Sequence, residues 1–317
     1  MKKTIPIFLT IDDNYAKYAA CTINSIKKNS NTNYNYNIII VHQELSEKNI
    51  KKLKQLENEY FKISFKEIKE GLSSITDREE NRLRCDYFTL TIYLRLFIAD
   101  MFPEYDKAIY IDSDVVVPGD ISQLYNINLE NNIIGACTDL SIQEVPEFID
   151  YLENAIGVKR NEYINSGVLL MNLKMMRELN FSKKFLELLN KYHFDTIAPD
   201  QDYINAMCNG KILYLNNEWD VMPNNNTKPL TNPKLIHYNL FQKPWCYDNI
   251  QYESYFWEYA RESGYYNEII EHKKNYSEKQ KKSDETCLIN LVKKGGSISN
   301  NKINFKKMHK KNNDIRI

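Results

Sequence analysis

The chain has 317 residues, 43% of them hydrophobic and 23 of them tyrosine, so it can bury a sizeable core as one large domain or two. Its 42 basic and 42 acidic side chains leave no net charge, which disfavours nucleic acid as a partner, and no run of roughly eighteen apolar residues predicts a membrane-spanning helix. The six cysteines are scattered without a Cys-x-x-Cys pair, so neither a zinc site nor a disulfide framework is indicated.

Strands alternate with helices along the chain. Segments rich in Ile, Val and Tyr predict strands at residues 5–10, 36–41, 62–67, 107–117, 133–138, 167–172 and 211–215. Amphipathic spacing and cap residues predict helices at residues 15–28, 46–59, 91–100, 175–190 and 200–208. The order predicts an α/β fold, in which helices flank both faces of a mostly parallel sheet and ligands bind beyond the carboxyl ends of the strands.

The apolar run at residues 108–117 contains two carboxylates, Asp112 and Asp114. An unpaired buried carboxylate costs several kcal/mol, so we expect these acids at the carboxyl end of the strand. Because side chains alternate along a strand, both acids project from one face while Ser113 points away. Two oxygen ligands on one side suit a hard cation such as Mn²⁺ or Mg²⁺. Taken alone, the same pattern can instead cap a turn.

Glycine-rich phosphate loops are missing from the sequence. It has only nine glycines and neither a Walker sequence nor Gly-x-Gly-x-x-Gly. Binding of a nucleotide would therefore rely on a metal and on side chains.

The C-terminal segment differs in charge from the rest of the chain. Residues 272–317 carry a net charge of +9, and residues 1–271 therefore carry −9. The change in charge divides the chain into an acidic body, residues 1–271, and a basic tail, residues 272–317. Two interpretations of the tail stay open. It could lie on an anionic membrane surface through its lysines and apolar residues, or it could be a solvated, partly disordered extension.

Five collinear motifs resemble glycosyltransferase family 8, and within it the bacterial lipooligosaccharide galactosyltransferases and glucosyltransferases. The similarity covers roughly residues 4–260. The motifs are residues 10–15, 111–114, 165–172 and 200–202, and His237 with residues 243–245. The resemblance implies a GT-A fold that takes a UDP-hexose with Mn²⁺ or Mg²⁺ and transfers the sugar with retention at the anomeric carbon. The implied acceptor is a cell-envelope glycan or glycolipid, and the implied location is the cytoplasm, at the inner face of the membrane.

The resemblance also implies roles for individual residues. Asp112, Asp114 and His237 would hold the metal. The nucleotide-binding residues would be Thr10, Asp12, Asn14, Arg95, Ser113 and Lys243, the first three on the uridine, Arg95 toward the nucleotide sugar and Lys243 on the diphosphate. The catalytic residues around the hexose would be Asp139, Asn165, Asp200 and Gln201. We expect same-face attack, with Gln201 stabilising the cationic sugar, because an amide is a poor nucleophile.

One position departs from the family pattern. Relatives often read His-x-x-Gly-x-x-Lys-Pro-Trp, in which the glycine lets the backbone approach the diphosphate, but here that position is Leu240. The spacing of His237 and Lys243 is kept. We therefore expect their roles to hold without a backbone contact at Leu240.

Structural roles compete with these functional ones. Asp12 and Asn14 could cap the helix that follows, Asn165 could cap a turn, and Asp200 could begin a helix. His237 could be an ordinary core histidine, and Arg95 an exposed charge on a helix.

Two rival functions also remain. Residues 112–116 fit the Asp-x-Asp-x-[Thr/Val] pattern of haloacid-dehalogenase-type phosphohydrolases, although the pattern lies late in the chain and lacks a downstream acidic pair. A non-catalytic UDP-sugar-binding scaffold is the other alternative.

Overall fold

A seven-stranded sheet forms the centre of the fold in a computed structural model that describes residues 2–68, 90–143 and 145–317. Its seven strands are β1 (Thr4–Thr10), β2 (Asn35–His42), β3 (Phe61–Glu67), β4 (Ala108–Ile111), β6 (Ile134–Ala136), β7 (Val168–Met171) and β8 (Ile212–Tyr214). Two further strands, β5 (Val115–Val116) and β9 (Ile236–His237), form a separate two-stranded sheet. The order in the sheet is β3-β2-β1-β4-β7-β6-β8, with β7 antiparallel to both neighbours and the other pairs parallel. This confirms the mostly parallel α/β sheet.

Helices connect the strands. They are α1 (Ala16–Asn29), α2 (Glu47–Lys54), α3 (Ile98–Met101), α4 (Ile121–Asn126), α5 (Pro146–Tyr151), α6 (Leu173–Glu178), α7 (Phe181–Tyr192), α8 (Pro199–Cys208), α9 (Glu253–Arg261), α10 (Tyr266–Asn275), α11 (Glu278–Ile298) and α12 (Phe305–Asn312). Leu90–Phe97 and Asn217–Trp219 form 3-10 turns, and Leu152–Ile156 forms a π turn.

The two faces of the sheet carry separate hydrophobic clusters. In β1, Phe8 packs into one cluster and Ile7 and Leu9 pack into the other. In β4, Tyr110 packs into the same cluster as Phe8, and Ile109 packs into the same cluster as Ile7 and Leu9. Because successive side chains of a strand point to opposite faces, strands covered by helices on both sides are apolar at every position. The unbroken apolar runs in the sequence reflect this burial.

The predicted strand at residues 107–117 is interrupted, which corrects the expectation for this segment. Strand β4 ends at Ile111, and the backbone N–H of Asp112 still donates to the carbonyl of Gly167 at 2.8 Å. The chain then turns and forms β5, which pairs antiparallel with β9. The two aspartates therefore lie in a turn at the sheet edge, and alternation along one strand does not determine their directions.

Three predicted helices also differ from the expectation. The helix at residues 46–59 begins as predicted, since the Ser46 hydroxyl accepts from the backbone of Asn49, but it ends at Lys54. The helix at residues 175–190 is split into α6 and α7, because Asn180 adopts a left-handed backbone conformation, with φ of 52°. The predicted helix at residues 91–100 begins as a 3-10 turn and becomes α3.

The C-terminal segment is helical and packs against the rest of the protein. Leu291, Ile298, Phe305 and Ile315 are buried in the same hydrophobic cluster as Phe8 and Tyr110. Residues 272–317 are therefore mostly helical and packed against the body, which contradicts the interpretation as a partly disordered extension.

The ring of Phe305 shows how closely α12 is joined to the body. Its centroid lies 3.9 Å from the ring centroid of Phe194 and 4.9 Å from that of Tyr203, which is in α8.

Within the described part of the chain, we find no helix with the length and hydropathy needed to cross a bilayer.

Replacing Phe305 with Ala is expected to lower the free energy of unfolding by about 3–5 kcal/mol, because the ring is 1% exposed and fills an aromatic cluster. Chemical denaturation followed by circular dichroism measures the change. Ile303→Ala is a matched control two residues away: its side chain is 50% exposed, so we expect a change below about 0.5 kcal/mol. Equal effects of the two substitutions would contradict the packing described here.

Candidate functional site

Asp112, Asp114 and His237 come together at the carboxyl end of β4, as the sequence predicts; we call them the Asp-Asp-His cluster. One ligand atom from each lies within 4.8 Å of the others. His237 Nε2 is 3.3 Å from Asp114 Oδ1 and 4.0 Å from Asp112 Oδ2. Two carboxylates and an imidazole are ligands suited to Mn²⁺ or Mg²⁺, and both carboxylates keep some exposure through which a ligand can enter.

Backbone pairing brings the cluster together from distant parts of the chain. In the two-stranded sheet, Val115 is paired with His237. The N–H of Tyr238 also donates to the carbonyl of Asp114 at 3.0 Å. The imidazole is thus fixed beside the aspartates by hydrogen bonds of the main chain, and His237 is not an ordinary core histidine.

Asp112 is oriented by two buried donors. Its Oδ1 accepts from the guanidinium of Arg95 at 2.8 Å and from the hydroxyl of Tyr110 at 2.7 Å, which leaves Oδ2 on the side of His237. Arg95 Nε is also 3.2 Å from Asp200 Oδ2. Burial opposes the charge of the guanidinium, but Asp112 and Asp200 outweigh it and raise the pKa of Arg95. Arg95 is therefore a buried bridge between two acids and not an exposed helix charge.

Asp114 is paired with Lys243. The ammonium Nζ lies 2.6 Å from Asp114 Oδ2 and donates to the carbonyl of Tyr238 at 2.8 Å. Burial would raise the pKa of Asp114, but Lys243 and His237 outweigh it and hold that pKa below its ordinary value. Burial would likewise lower the pKa of His237, yet the carboxylates of Asp114 and Asp220 raise it to about 10.

The four predicted catalytic residues also lie together, with Ser166 among them. Asp139 Oδ2 accepts from Gln201 Nε2 at 2.9 Å and from Asn165 Nδ2 at 3.2 Å, while Gln201 Oε1 accepts from the backbone of Ser166 at 3.0 Å. We call Asp139, Asn165, Ser166 and Gln201 the amide network. Asp200 joins it, since the Ser166 hydroxyl donates to Asp200 Oδ2 at 2.9 Å. All of these side chains are buried.

The remaining predicted nucleotide-binding residues have different surroundings. The hydroxyl of Thr10 is 2.8 Å from that of Tyr110, so Thr10 is linked through Tyr110 to Asp112. Asp12 accepts from the backbone N–H of Tyr15, in the turn that precedes α1. Asn14 is exposed. Ser113 is buried, and its backbone carbonyl accepts from the hydroxyl of Thr22. Of these four, Thr10 is the one connected to the Asp-Asp-His cluster by hydrogen bonds.

Sequence reasoning missed four residues of the site. Tyr110 could have been found, since it precedes Asp112 by two positions. Ser166 and Gly167 belong to a motif that was recognised, but the hydrogen bonds of Ser166 and the contact of Gly167 with His237 were not anticipated. Asp220, whose Oδ1 lies 3.0 Å from His237 Nδ1, is part of no motif.

Leu240 takes the backbone conformation that favours glycine. Its φ is 51°, in the left-handed region, where a side chain is strained. The departure from the family pattern at this position therefore changes the side chain and leaves the backbone in a glycine-like conformation.

Comparison with known proteins identifies the family. The model of "Glycosyl transferase family 8" matches residues 6–249. This chain belongs to glycosyl transferase family 8. Among the relatives of this family 8 chain, a putative glycosyltransferase of Haemophilus influenzae is 31% identical over 70% of this chain and 64% of its own length. The lipopolysaccharide 1,2-glucosyltransferase of Escherichia coli is 27% identical over 76% of this chain and 74% of its own.

Solved structures of GT-A glycosyltransferases share the fold of this family 8 chain. The bifunctional glycosyltransferase WbbM superimposes with a TM-score of 0.73 at 25% identity, covering 87% of this chain and 52% of that one. The galactosyltransferase LgtC, solved with donor and acceptor sugar analogues, has a TM-score of 0.69 at 24% identity and covers 81% and 96%. The chain thus spans less than two thirds of the Haemophilus relative and of WbbM. Family membership overturns the phosphohydrolase alternative.

Gly167→Ala is expected to disturb the Asp-Asp-His cluster, because the added Cβ would overlap His237 Cε1 and lie 2.7 Å from Asp112 Oδ2. We expect a loss of stability of about 1–3 kcal/mol, as for overpacked cores, and Mn²⁺ binding at least about tenfold weaker. Thermal unfolding and titration of Mn²⁺ followed by electron paramagnetic resonance measure both. In the control Gly296→Ala, the nearest atom is 3.7 Å away in Glu147, so Mn²⁺ binding should be almost unchanged and stability should not fall, because alanine favours the helix α11. Unaltered Mn²⁺ binding by Gly167→Ala would argue against the described contact.

Proposed function

We propose that this chain is a retaining glycosyltransferase that moves glucose or galactose from a UDP-hexose to a glycan or glycolipid acceptor and requires Mn²⁺ or Mg²⁺. The observation that carries the proposal is the Asp-Asp-His cluster, joined to the amide network by a single buried arginine, Arg95. The glucosyltransferase and galactosyltransferase activities named for relatives agree with a hexose donor. Lipopolysaccharide synthesis, named for the Escherichia coli relative, motivates a cell-envelope acceptor.

Each half of the site has its own task in this proposal. A cation held by Asp112, Asp114 and His237 would supply positive charge to the departing diphosphate. Lys243 lies next to the cluster and would contribute a second positive charge once its pairing with Asp114 is exchanged for a phosphate. The amide network would bind the hexose hydroxyls, and Thr10, Asp12, Asn14, Ser113 and Arg95 would contact the nucleotide part of the donor.

The hydrogen bonds and ion pairs of the nearby carboxylates agree with same-face attack. A covalent intermediate needs a carboxylate oxygen free to attack the anomeric carbon. Asp139 accepts hydrogen bonds through both oxygens, and Asp200 is held by Arg95 and Ser166. With these acids occupied, we propose that the acceptor attacks from the face that UDP leaves and that Gln201 stabilises the cationic sugar.

The acceptor would approach beside Asp139. The next residue, Leu140, is 48% exposed, and it begins the segment 140–160, which contains α5. Loops at the rim of a rigid sheet usually carry specificity. We therefore propose that this segment selects the acceptor.

The C-terminal helices offer a basic surface for an anionic membrane. Among its exposed cations are Lys302, Lys307, Lys310, Lys311 and Arg316, while the acid Asp314 is paired with Lys191. Since Phe305 and Met308 pack against the protein core, charge would supply most of the attraction, at about 1 kcal/mol for each Lys or Arg near the surface. We propose contact of this surface with the inner face of the cytoplasmic membrane.

The donor is tested with a panel of UDP-sugars in the presence of Mn²⁺, with release of UDP as the measurement. UDP-glucose or UDP-galactose should be consumed, and chelation of the metal should stop the reaction. Asp114→Ala should lower turnover by about 100-fold or more, since the metal supplies several kcal/mol. Asp106→Ala, at an exposed acid that pairs with Arg177, is the control and should keep full activity. Donor binding without transfer or hydrolysis would favour the scaffold alternative instead.

The membrane contact is tested with vesicles of phosphatidylserine and phosphatidylcholine at low salt. Changing Lys310 and Lys311 together to Gln should weaken binding about 30-fold, which corresponds to about 2 kcal/mol. Changing Lys48 and Lys51 on α2 to Gln removes the same charge elsewhere, from side chains that are 72% and 77% exposed, and should have a smaller effect. If both pairs of substitutions weaken binding equally, only net charge matters and the proposed surface is wrong.

A further inference from the structure

Asp220 lies behind the imidazole of His237, on the side away from the two aspartates. Its Oδ1 is 3.0 Å from His237 Nδ1, and the residue is 2% exposed. Within the described residues, its other oxygen, Oδ2, has no hydrogen-bond partner. Burying a carboxylate costs several kcal/mol unless it is paired. The hydrogen bond to His237 is therefore the described interaction that offsets this cost.

The backbone holds Asp220 in register with His237. Asp220 directly follows the 3-10 turn Asn217–Trp219. The next residue, Val221, donates to the carbonyl of Leu235 and accepts from the N–H of His237, both at 2.9 Å. The carboxylate and the imidazole are thus fixed to each other by the main chain as well as by their side chains.

One orientation of the His237 imidazole directs a nitrogen at the two aspartates. Its Cε1 faces Gly167, and its Nε2 faces the carboxylates of Asp114 and Asp112. A rotation of the ring by half a turn would exchange these two atoms and direct carbon at the carboxylates. An acceptor on Nδ1 opposes that rotation and places the ring proton on Nδ1, which leaves the Nε2 lone pair available for a metal.

We propose that Asp220 is a positioning residue, which holds His237 with Nε2 directed into the Asp-Asp-His cluster and so sets the affinity of the site for its divalent cation. This inference rests on the proposed metal-dependent function. It assigns a task to a buried residue that lies outside every recognised motif.

The test uses the full chain with UDP and measures binding of Mn²⁺ by electron paramagnetic resonance. Asp220→Ala removes the acceptor and should weaken Mn²⁺ binding by about 10–100-fold, as for other residues that orient a metal ligand. Asp220→Asn retains an oxygen acceptor of the same size and should restore most of the affinity. Pulsed measurements should show coupling of ¹⁴N to Mn²⁺ in the wild type and in Asp220→Asn, and a weaker coupling in Asp220→Ala.

Glu218→Ala is the matched control, since Glu218 lies on the same 3-10 turn but pairs with Lys234 at 3.2 Å. It should leave Mn²⁺ binding unchanged. In assays of UDP release, Asp220→Ala should need more Mn²⁺ for half-maximal activity but approach the wild-type kcat at saturation. A purely structural role would lower kcat and thermal stability together without that shift.

The outcomes separate this inference from the proposed function. If the wild type binds no Mn²⁺ in the presence of UDP, the metal site itself is wrong and the inference is overturned with it. If the wild type binds Mn²⁺ and Asp220→Ala binds it within threefold, only the role of Asp220 is overturned. A folded Asp220→Asn that binds as weakly as Asp220→Ala would also overturn positioning, since charge would then be decisive. Should Asp220→Ala fail to fold, the affinity and ¹⁴N coupling of Asp220→Asn decide.

Discussion

Pairing of buried charges is the constraint on which the rest of the site depends. Arg95 is 4% exposed, and its guanidinium contacts both Asp112 and Asp200. Because a buried ion without a partner costs several kcal/mol, neither acid can move away from the arginine without a large penalty. One of these acids belongs to the Asp-Asp-His cluster, and the other adjoins the amide network. The guanidinium of Arg95, which both acids share, thus fixes the distance between the part of the site suited to a metal and the part suited to a sugar.

The register of the sheet brings the two parts to the same edge. Strands β4 and β7 are antiparallel, and Ile111 at the end of β4 is paired with Val168 at the start of β7. Asp112 therefore leaves the sheet beside Gly167, and the residues that precede Gly167 enter the amide network. In a sheet with every strand parallel, the start of β7 would lie at the opposite edge. The single antiparallel strand is what allows an Asp-x-Asp turn and an Asn-Ser-Gly segment to meet.

Local patterns in the sequence were sufficient for most strands and for the identity of the Asp-Asp-His cluster, since apolar runs and collinear motifs are read over a few residues. They could not predict the break after Ile111, because it is set by the pairing of β5 with β9, two strands of two residues each that lie far apart in the chain. Asp220 was missed for the same reason. Its partner is a ring 17 residues later, and nothing in its neighbourhood marks the contact. The packing of the tail could not be predicted because its lysines dominate the composition, whereas single apolar residues such as Phe305 determine that packing.

Leu240 shows that a backbone can be retained after the residue that favours it has been lost. A left-handed conformation costs a residue other than glycine roughly 1–2 kcal/mol, and Leu240 adopts it nevertheless. Its neighbours supply the compensation: Asn239 is buried, the carbonyl of Tyr238 accepts from Lys243, and the indole of Trp245 is packed in the core. These contacts fix both ends of the loop, so the backbone between them has little freedom to relax. The strain at Leu240 is therefore the consequence of holding Lys243 against the Asp-Asp-His cluster.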